Sequence, residues 1–418
     1  MEANRSNRIV GEGSRRRRRV FRFFLVAFVT LATGIAAELI ARIAWEPAFP
    51  FTMLLGAAYC WEPEPGQWEA QPNLRVVMSA PRTNADGSSG GPEAGATRQV
   101  VFRFNSLGCR GPELAPRGAD GLRVLFAGDS IVFGFLVDED EAFTHGVGTR
   151  VGAGLCREVT VCNAAFPGYG FAAACARVRR LLPRVDPDAV VVGLCISNDF
   201  FDDIAQATST VIAGRDLHGA TVRSIRSRWR VELSIRSRLW LLGERVLASL
   251  APGAAMFGPP AVTAEEASFW AGLPDVNHAK AGLYLEAVED TRHWPGVAVL
   301  WQRFQDQLVE LRRLVGNRRL LILLEPNRCH VDTTLRTRML EELGFLEADY
   351  CSGLAQQRLI DRCAAAGVDV LDLTPALAAE GQPGRLFLSE DWVHYSVRGN
   401  AVVAAAIAER LVSMLRRR

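Results

Sequence analysis

The hydrophobic positions of the chain fall into short apolar runs separated by longer amphipathic stretches. Residues 123–127 form an apolar run that ends at a glycine, as expected of a buried parallel strand. Strands are predicted at Gln99–Phe104, Arg123–Ala127, Val159–Cys162, Ala189–Cys195, Leu320–Leu324 and Val368–Leu371, and helices at Ala172–Leu182, Leu300–Val315, Ala355–Ala365 and Ala401–Leu415. Strands that alternate with helices predict an α/β fold with a largely parallel sheet.

Five consecutive arginines, Arg15–Arg19, precede an apolar stretch that predicts a membrane anchor. Residues 23–45 are about long enough to cross a bilayer as a helix, and the basic tail 1–22 favours a cytoplasmic N-terminus. Glu38 and Arg42 are four residues apart and can pair on one helix face. A cleaved signal peptide and a buried core helix are the alternatives, and the apolar residues beyond Arg42 favour the uncleaved anchor. With an anchor or a signal peptide, the rest of the chain is predicted to be exported.

The region after the anchor is rich in Pro, Gly and small polar residues, so residues 46–97 are predicted to be an extracytoplasmic linker. Residues 98–418 are predicted to form the α/β domain. Within this domain the stretch from about 205 to 316 is too long for an ordinary crossover between strands. We predict that it is a mostly helical insertion.

Composition and charge limit the class of protein. The 418 residues are 49% hydrophobic, which is enough for a sizeable core and too much for a disordered chain. The net charge of +2 conceals an asymmetry: without the eight Arg and two Glu of residues 1–22 and the three C-terminal Arg, 37 basic groups face 44 acidic groups. A folded domain with this acidic balance is not expected to bind nucleic acid, because phosphates require a basic surface.

Nine cysteines are an odd number, so at least one thiol is expected to be free. Cys156 and Cys162 are close enough in sequence to be a candidate disulfide, and buried reduced cysteines fit the pattern equally well. The sequence has no CxxC or HExxH motif, and Asp199, Asp202 and Asp203 lack the spacing of a calcium loop. It therefore gives no support for a metal or a cofactor.

Polar residues gather where the predicted strands end, which is where open parallel sheets carry reactive groups. Residues 128–130 follow the first strand of the domain's core, 163–168 follow the second, and 197–199 follow the third. Near the C-terminus, Asp391 and His394 are three residues apart, just before the last predicted helix.

Ser130, His394 and Asp391 have the residue types of a nucleophile, its general base and the carboxylate that orients the base. The negative charge on an attacked carbonyl also requires hydrogen-bond donors. The backbone N–H groups of Ser130 and Gly168 and the side-chain amide of Asn198 are the candidate donors. Gly168 suits this role because no side chain blocks the approach of substrate to the backbone.

The order GDS (128–130), N(x)4G (163–168), ND (198–199) and DxxH (391–394) resembles the SGNH or GDSL hydrolase superfamily. The resemblance covers about residues 98–415 and implies a three-layer α/β/α sandwich. It implies Ser130 as the nucleophile, Asp391 and His394 as its partners, and Gly168 and Asn198 as oxyanion donors together with the amide of Ser130. Residues 105–113 (NSLGCRGPE) resemble a segment upstream of the nucleophile in anchored bacterial members, and we assign no catalytic role to it.

Two positions depart from the family pattern. The third block usually reads GxND, and Ile196 takes the place of its glycine, which can alter the turn that aims Asn198. The GDSL tetrapeptide reads GDSI, with Ile131 in place of leucine. A different motif, GxSxG at residues 87–91, lacks the strand-to-helix elbow that it requires, so Ser89 is not expected to be a nucleophile.

These features predict a membrane-anchored serine esterase that cleaves O-acyl esters, first of all O-acetyl esters of cell-envelope or exported carbohydrate, through an acyl-enzyme. An O-acyltransferase would use the same residues with a sugar hydroxyl in place of water. A non-catalytic glycan-binding or scaffold protein would keep only the fold. The expected partners are an ester-bearing small molecule or glycan and, through residues 23–45, the lipid bilayer, with no cofactor. The expected location is the bacterial inner membrane, single-pass, with the catalytic domain on the periplasmic side.

Overall fold

The computed structural model describes residues 2–44, 48–49, 59–62, 67–70, 72–84, 86–88, 96–196, 198–200, 202–203, 209–212, 215–218, 237–240, 242–243, 282–288, 296–388 and 391–416. The chain divides into two compact units. The first contains residues 1–47 and 228–258, and the second contains residues 48–227 and 259–418.

The first unit is built on helix α1, Glu2–Ala44. Its part from Phe21 to Ala44 is long and apolar enough to cross a membrane or to be a signal sequence. Arg42 Nε donates to Glu38 Oε1 at 2.8 Å, which confirms the pairing expected from their spacing. The Glu38 carboxylate also accepts hydrogen bonds from Ser237 Oγ at 2.9 Å and from the backbone N–H of Leu239 at 3.1 Å, so it joins two distant parts of the chain.

The second unit contains a five-stranded parallel sheet. Its strand order is β12 (Asp369–Asp372), β11 (Arg319–Glu325), β8 (Ala189–Cys195), β6 (Leu122–Ala127) and β7 (Val159–Asn163), so β6 lies between β8 and β7. The strands of the unit are β1 Ala48–Phe49, β2 Tyr59–Glu62, β3 Gln67–Ala70, β4 Arg75–Pro81, β5 Thr97–Arg103, β6 Leu122–Ala127, β7 Val159–Asn163, β8 Ala189–Cys195, β9 Ser209–Ile212, β10 Arg215–His218, β11 Arg319–Glu325, β12 Asp369–Asp372, β13 Phe387–Leu388 and β14 Asp391–Tyr395.

Helices cover both faces of this sheet. They are α2 Ser130–Phe133, α3 Phe143–Leu155, α4 Phe171–Val185, α5 Gly296–Val315, α6 Thr333–Glu342, α7 Leu354–Ala365, α8 Thr374–Ala378, α9 Pro383–Leu386 and α10 Val397–Arg416, with short 3₁₀ turns at Gly282–Glu286, Arg328–His330 and Glu347–Asp349.

Successive strand residues point to opposite faces of the sheet, and both sets are buried. Leu125 and Ile322 share one apolar cluster with residues of α4, α5 and α7. Val124 and Leu321 face the other way and are completely buried. On that side α3 packs against β7 and against the C-terminal helix α10. This α/β/α arrangement confirms the fold class expected from the sequence.

Two segments differ from the predicted organisation. Arg75–Pro81, inside the stretch predicted to be a linker, is strand β4, which pairs antiparallel with β5. Its buried apolar side chains, Val76, Val77, Met78 and Ala80, explain why it folds onto a sheet despite the Pro- and Gly-rich sequence around it. At the other end, Gly296–Val315 is helix α5, which packs on α4 and β11 within the sandwich. The rest of the 205–316 insertion lies largely outside the described residues.

Candidate functional site

Ser130 begins helix α2 immediately after strand β6. Gly128 has φ +152°, and a Cβ built there would lie 2.4 Å from Val132 Cγ2, so the turn into the helix accepts no side chain at this position. Asp129 caps the helix: its Oδ1 accepts a hydrogen bond from the N–H of Ile131 at 2.8 Å. The local sequence therefore places the Ser130 hydroxyl at the carboxyl end of a central strand.

Ser130, His394 and Asp391 form a continuous chain of hydrogen bonds. Ser130 Oγ lies 2.7 Å from His394 Nε2, and His394 Nδ1 is in hydrogen-bond contact with Asp391 Oδ2. The ring of Phe135 packs against the imidazole with a centroid distance of 4.9 Å. Strand β14, which carries both the aspartate and the histidine, pairs with β13. This is the arrangement of a nucleophile, a base and the carboxylate that orients the base.

The electrostatics of the pair favour a polarised imidazole. Burial alone would raise the pKa of Asp391, but the charge of His394 and hydrogen bonds from the N–H groups of Val393 and His394 lower it to about 2. Burial alone would lower the pKa of His394, but the Asp391 carboxylate raises it above its ordinary value. Asp391 is therefore ionised at neutral pH and stabilises a protonated imidazole.

Gly168 and Asn198 follow the two strands that flank β6. Gly168 follows β7 in a turn where it has φ +82°, a conformation that favours glycine. Asn198 follows β8 and is buried. Because β6 lies between β7 and β8, the topology puts both predicted oxyanion donors beside the strand that leads to Ser130.

The side chain of Asn198 is held by Asp202. Asn198 Nδ2 donates to Asp202 Oδ2 at 2.5 Å. The preceding Ile196, which replaces the family's glycine, is completely buried, and its N–H donates to the carbonyl of Glu325 at 3.2 Å. The side chain of Asn198 and the backbone of Ile196 are therefore each held by a hydrogen bond, although the family's glycine is absent.

Carboxyl groups also lie beneath the site. Asp129, Asp199 and Glu325 are completely buried, and burial raises the pKa of each, that of Asp199 and Glu325 well above the ordinary value. Carboxylate oxygens of Asp129 and Asp199 and the Cys195 sulfur lie within 4.8 Å of one another, a spacing that a metal ion could bridge.

Arg110 is a structural support of the site that the sequence did not reveal. Its guanidinium is buried and donates to the carbonyls of Phe133 at 2.6 Å, Gly134 at 2.5 Å and Val137 at 2.7 Å. These carbonyls lie at and just beyond the C-terminal end of α2. Burial lowers the pKa of Arg110 to about 10, so the side chain remains charged at neutral pH. The segment 105–113 thus contributes the cation that holds the end of the Ser130 helix.

The rest of that segment is fixed by its own polar groups. Asn105 Oδ1 accepts hydrogen bonds from the N–H groups of Leu107 at 2.9 Å and Cys109 at 3.0 Å. Arg177 of α4, completely buried, donates to the carbonyls of Leu107 and Gly108. The resemblance of residues 105–113 to a segment upstream of the nucleophile in anchored bacterial proteins was the signal in the sequence, but it did not indicate what Arg110 contacts.

The order of motifs in the sequence matches the order of elements around the site. The GDS, N(x)4G and ND blocks follow three neighbouring parallel strands, and the DxxH pair meets Ser130 from the last strand. The α/β/α sandwich and the positions of the motifs around it agree with the fold that the resemblance to the SGNH/GDSL hydrolases implies.

Solved structures of esterases and acylhydrolases align with this chain. A lipase/acylhydrolase from Enterococcus faecalis is 13% identical and aligns over 70% of this chain and 96% of its own, with a TM-score of 0.37. An acetyl xylan esterase is 12% identical over 69% of this chain and all of its own (TM-score 0.36). A two-domain esterase active on acetylated mannans is 12% identical over 70% of this chain and half of its own (TM-score 0.36). These structural alignments concern the fold and not the substrate of this chain.

No protein-family profile matches the chain, and no curated protein sequence matches it. The resemblance to the SGNH/GDSL hydrolases therefore depends on the motif order and on the sheet that brings the motifs together.

Replacing Arg110 with methionine should lower the free energy of unfolding by about 2–4 kcal/mol, because three buried carbonyls lose a charged donor while an unbranched apolar side chain replaces the stem of the arginine. Urea unfolding of the full chain in detergent measures the change. Arg179→Met is the matched control, since Arg179 is largely exposed and its ion pair with Glu310 should contribute less than about 1 kcal/mol. Equal effects of the two substitutions would contradict the role of Arg110.

Proposed function

We propose that this SGNH/GDSL-fold protein is a serine esterase that cleaves O-acyl esters through an acyl-enzyme at Ser130. The observation that carries the proposal is the 2.7 Å contact between Ser130 Oγ and His394 Nε2, with Asp391 on the other ring nitrogen. A serine hydroxyl is a weak nucleophile until a positioned base removes its proton. The three side chains together have the geometry that this activation requires.

In the proposed reaction, Ser130 Oγ attacks the ester carbonyl while His394 Nε2 takes the hydroxyl proton. Asp391 holds the imidazole and stabilises its positive charge. Collapse of the tetrahedral intermediate transfers the proton from His394 to the leaving alcohol and leaves the acyl group on Ser130. Water, deprotonated by His394, then attacks the acyl-enzyme and releases the carboxylic acid and free Ser130.

The proposed donors to the oxyanion are the N–H groups of Ser130 and Gly168 and the amide of Asn198. An asparagine amide carries two hydrogens, and Asp202 engages one of them. The Asp202 carboxylate can only accept hydrogen bonds, so it keeps the nitrogen of the Asn198 amide, and not the amide oxygen, facing Asp202. The second hydrogen is then left for the oxyanion, which supports a catalytic amide despite the absence of the family's glycine.

The proposed substrates are O-acyl, first of all O-acetyl, esters on carbohydrate. Support comes from the sequence: the motif order resembles anchored bacterial members of the superfamily, and an apolar N-terminal helix precedes the domain. We propose that this helix is an uncleaved single-pass anchor in the bacterial inner membrane. The basic residues before it then face the cytoplasm, and the α/β domain faces the periplasm.

Two other functions use the same fold. An O-acyltransferase would carry the same acyl-enzyme and pass the acyl group to a sugar hydroxyl, a difference that depends on the acceptor pocket and on exclusion of water. A non-catalytic glycan-binding protein would not need Ser130, His394 and Asp391 in mutual contact. That contact therefore favours an acyl-transfer enzyme over a scaffold.

Ser130→Ala should abolish release of p-nitrophenol from p-nitrophenyl acetate by the full chain in detergent, by at least about 10³-fold, because no other group can form the acyl-enzyme. Ser89→Ala is the control for the rejected GxSxG motif and should leave the rate unchanged. Activity retained in Ser130→Ala would contradict the assignment of Ser130 as the nucleophile. A folded wild-type chain that neither hydrolyses the ester nor is labelled at Ser130 by a phosphonate ester would favour the scaffold.

The rate should fall at acidic pH, because only neutral His394 can act as the base. The Asp391 carboxylate raises the pKa of His394, so the acidic limb of kcat/KM should lie above the ordinary histidine value of 6.5. In Asp391→Asn the negative charge that raises the pKa of His394 is lost, while the burial that lowers this pKa remains. The acidic limb of kcat/KM should therefore move to lower pH, and kcat should fall by about 10²–10⁴-fold. An acidic limb at the same pH in both proteins would contradict this coupling.

Asp202→Asn should lower kcat with little change in KM. An amide at position 202 can donate to Asn198 Oδ1, which lets the Asn198 amide turn over and point its oxygen at the oxyanion. The expected loss approaches the 10²–10³-fold cost of one missing donor. The control is Asn198→Ala, in which Asp202→Asn should have no further effect. Equal losses in the two backgrounds would show that Asp202 does not act through Asn198.

A further inference from the structure

Two buried cysteines from distant parts of the sequence meet behind the site. Cys109 and Cys162 are almost completely buried, and their Sγ atoms lie 3.2 Å apart. This contact corrects the candidate pair suggested by spacing, because Cys156 is exposed at the C-terminal end of α3 whereas Cys162 is at the end of β7. Cys156 and Cys162 are six residues apart in sequence, but they do not meet because the chain enters strand β7 between them.

The backbone already holds the two cysteines in place. The N–H of Arg110 donates to the carbonyl of Asn163 at 2.8 Å, in an antiparallel bridge between the residues that follow Cys109 and Cys162. Arg177 Nη2 lies 3.9 Å from the Cys109 sulfur. The Cys162 thiol, which donates to Cys109, and the Arg177 charge together lower the pKa of Cys109. The pair therefore has the close approach that a disulfide bond requires.

We propose that Cys109 and Cys162 are joined by a structural disulfide in the mature protein. The sulfur atoms need to approach by about 1 Å to reach a bonded distance. The bond would link the segment 105–113, which carries Arg110, to strand β7, which leads to Gly168. It would thus tie the support of the Ser130 helix to one side of the proposed oxyanion site.

The oxidant is a disulfide of the thiol–disulfide oxidoreductase class, as expected in an oxidising compartment. The Cys109 thiolate attacks one sulfur of that disulfide, forms a mixed disulfide and expels the other sulfur as a thiolate. Cys162, after losing its proton, attacks the Cys109 sulfur and expels the second thiolate of the oxidant. The cysteine pair loses two electrons and two protons, and the oxidant gains them as two thiols. Because both sulfurs are buried in the fold, we expect this exchange to occur before packing is complete.

This inference uses the periplasmic location proposed above but is independent of esterase activity. The full chain, isolated in membranes without reductant, is denatured in the presence of N-ethylmaleimide and digested with trypsin. Cys109 and Cys162 fall in different tryptic peptides, so their disulfide appears as one linked pair that separates on reduction. We expect that pair, with both cysteines protected from N-ethylmaleimide.

Variants separate the proposed pair from other pairings. Cys109→Ser should remove the linked peptides and lower the midpoint of thermal unfolding by several degrees. Cys156→Ser, which removes the exposed cysteine first suggested by spacing, should keep the linkage. Cys175→Ser should also keep it, which matters because Cys175 shares a tryptic peptide with Cys162. N-ethylmaleimide on both Cys109 and Cys162 in the wild-type chain would overturn the proposal, as would loss of the linkage in Cys156→Ser or Cys175→Ser.

Discussion

The short contact between the Ser130 hydroxyl and the His394 imidazole is the constraint that the surrounding structure has to satisfy. It joins residues 264 positions apart, so it exists only if the sheet and the C-terminal strand β14 are both in place. Helix α2, which presents Ser130, has four residues and cannot be stable in isolation. Its position is instead fixed at one end by the Asp129 cap and at the other by Arg110.

Burying the polar groups around this contact costs free energy, because these groups lose their hydration. Arg110 offsets that cost with three carbonyl acceptors, whereas Glu325 and Asp199 avoid it by raised pKa values that favour the neutral acid. The Asp391 carboxylate raises the pKa of His394 most, and the Asp129 carboxylate raises it further. The proposed acyl-enzyme chemistry requires a base that is polarised in this way.

The replacement of the family's glycine by Ile196 is compensated locally. Ile196 fills the core with its side chain, and the amide of Asn198 is oriented by Asp202 four residues later. The contact with Asp202 thus holds the side chain of Asn198 without the family's glycine. The same reasoning applies to residues 105–113, where a motif with no evident chemistry contributes a buried cation and a cysteine to the support of the site.

The sequence alone predicted the five strands of the parallel sheet and four helices of the sandwich (α4, α5, α7 and α10), and it singled out Ser130, Asp391 and His394 as candidate site residues, because hydrophobic periodicity and the spacing of DxxH are local properties. It could not identify Arg110, Asp202 or the Cys109–Cys162 contact as parts of the site. Nor could it show that strand β4 lies within the Pro- and Gly-rich stretch 46–97, since that strand is stabilised by pairing with β5. Each of these depends on which distant residues become neighbours when the strands align in the order β12-β11-β8-β6-β7. Strand order is set by packing of whole elements, and no local pattern of residues encodes it.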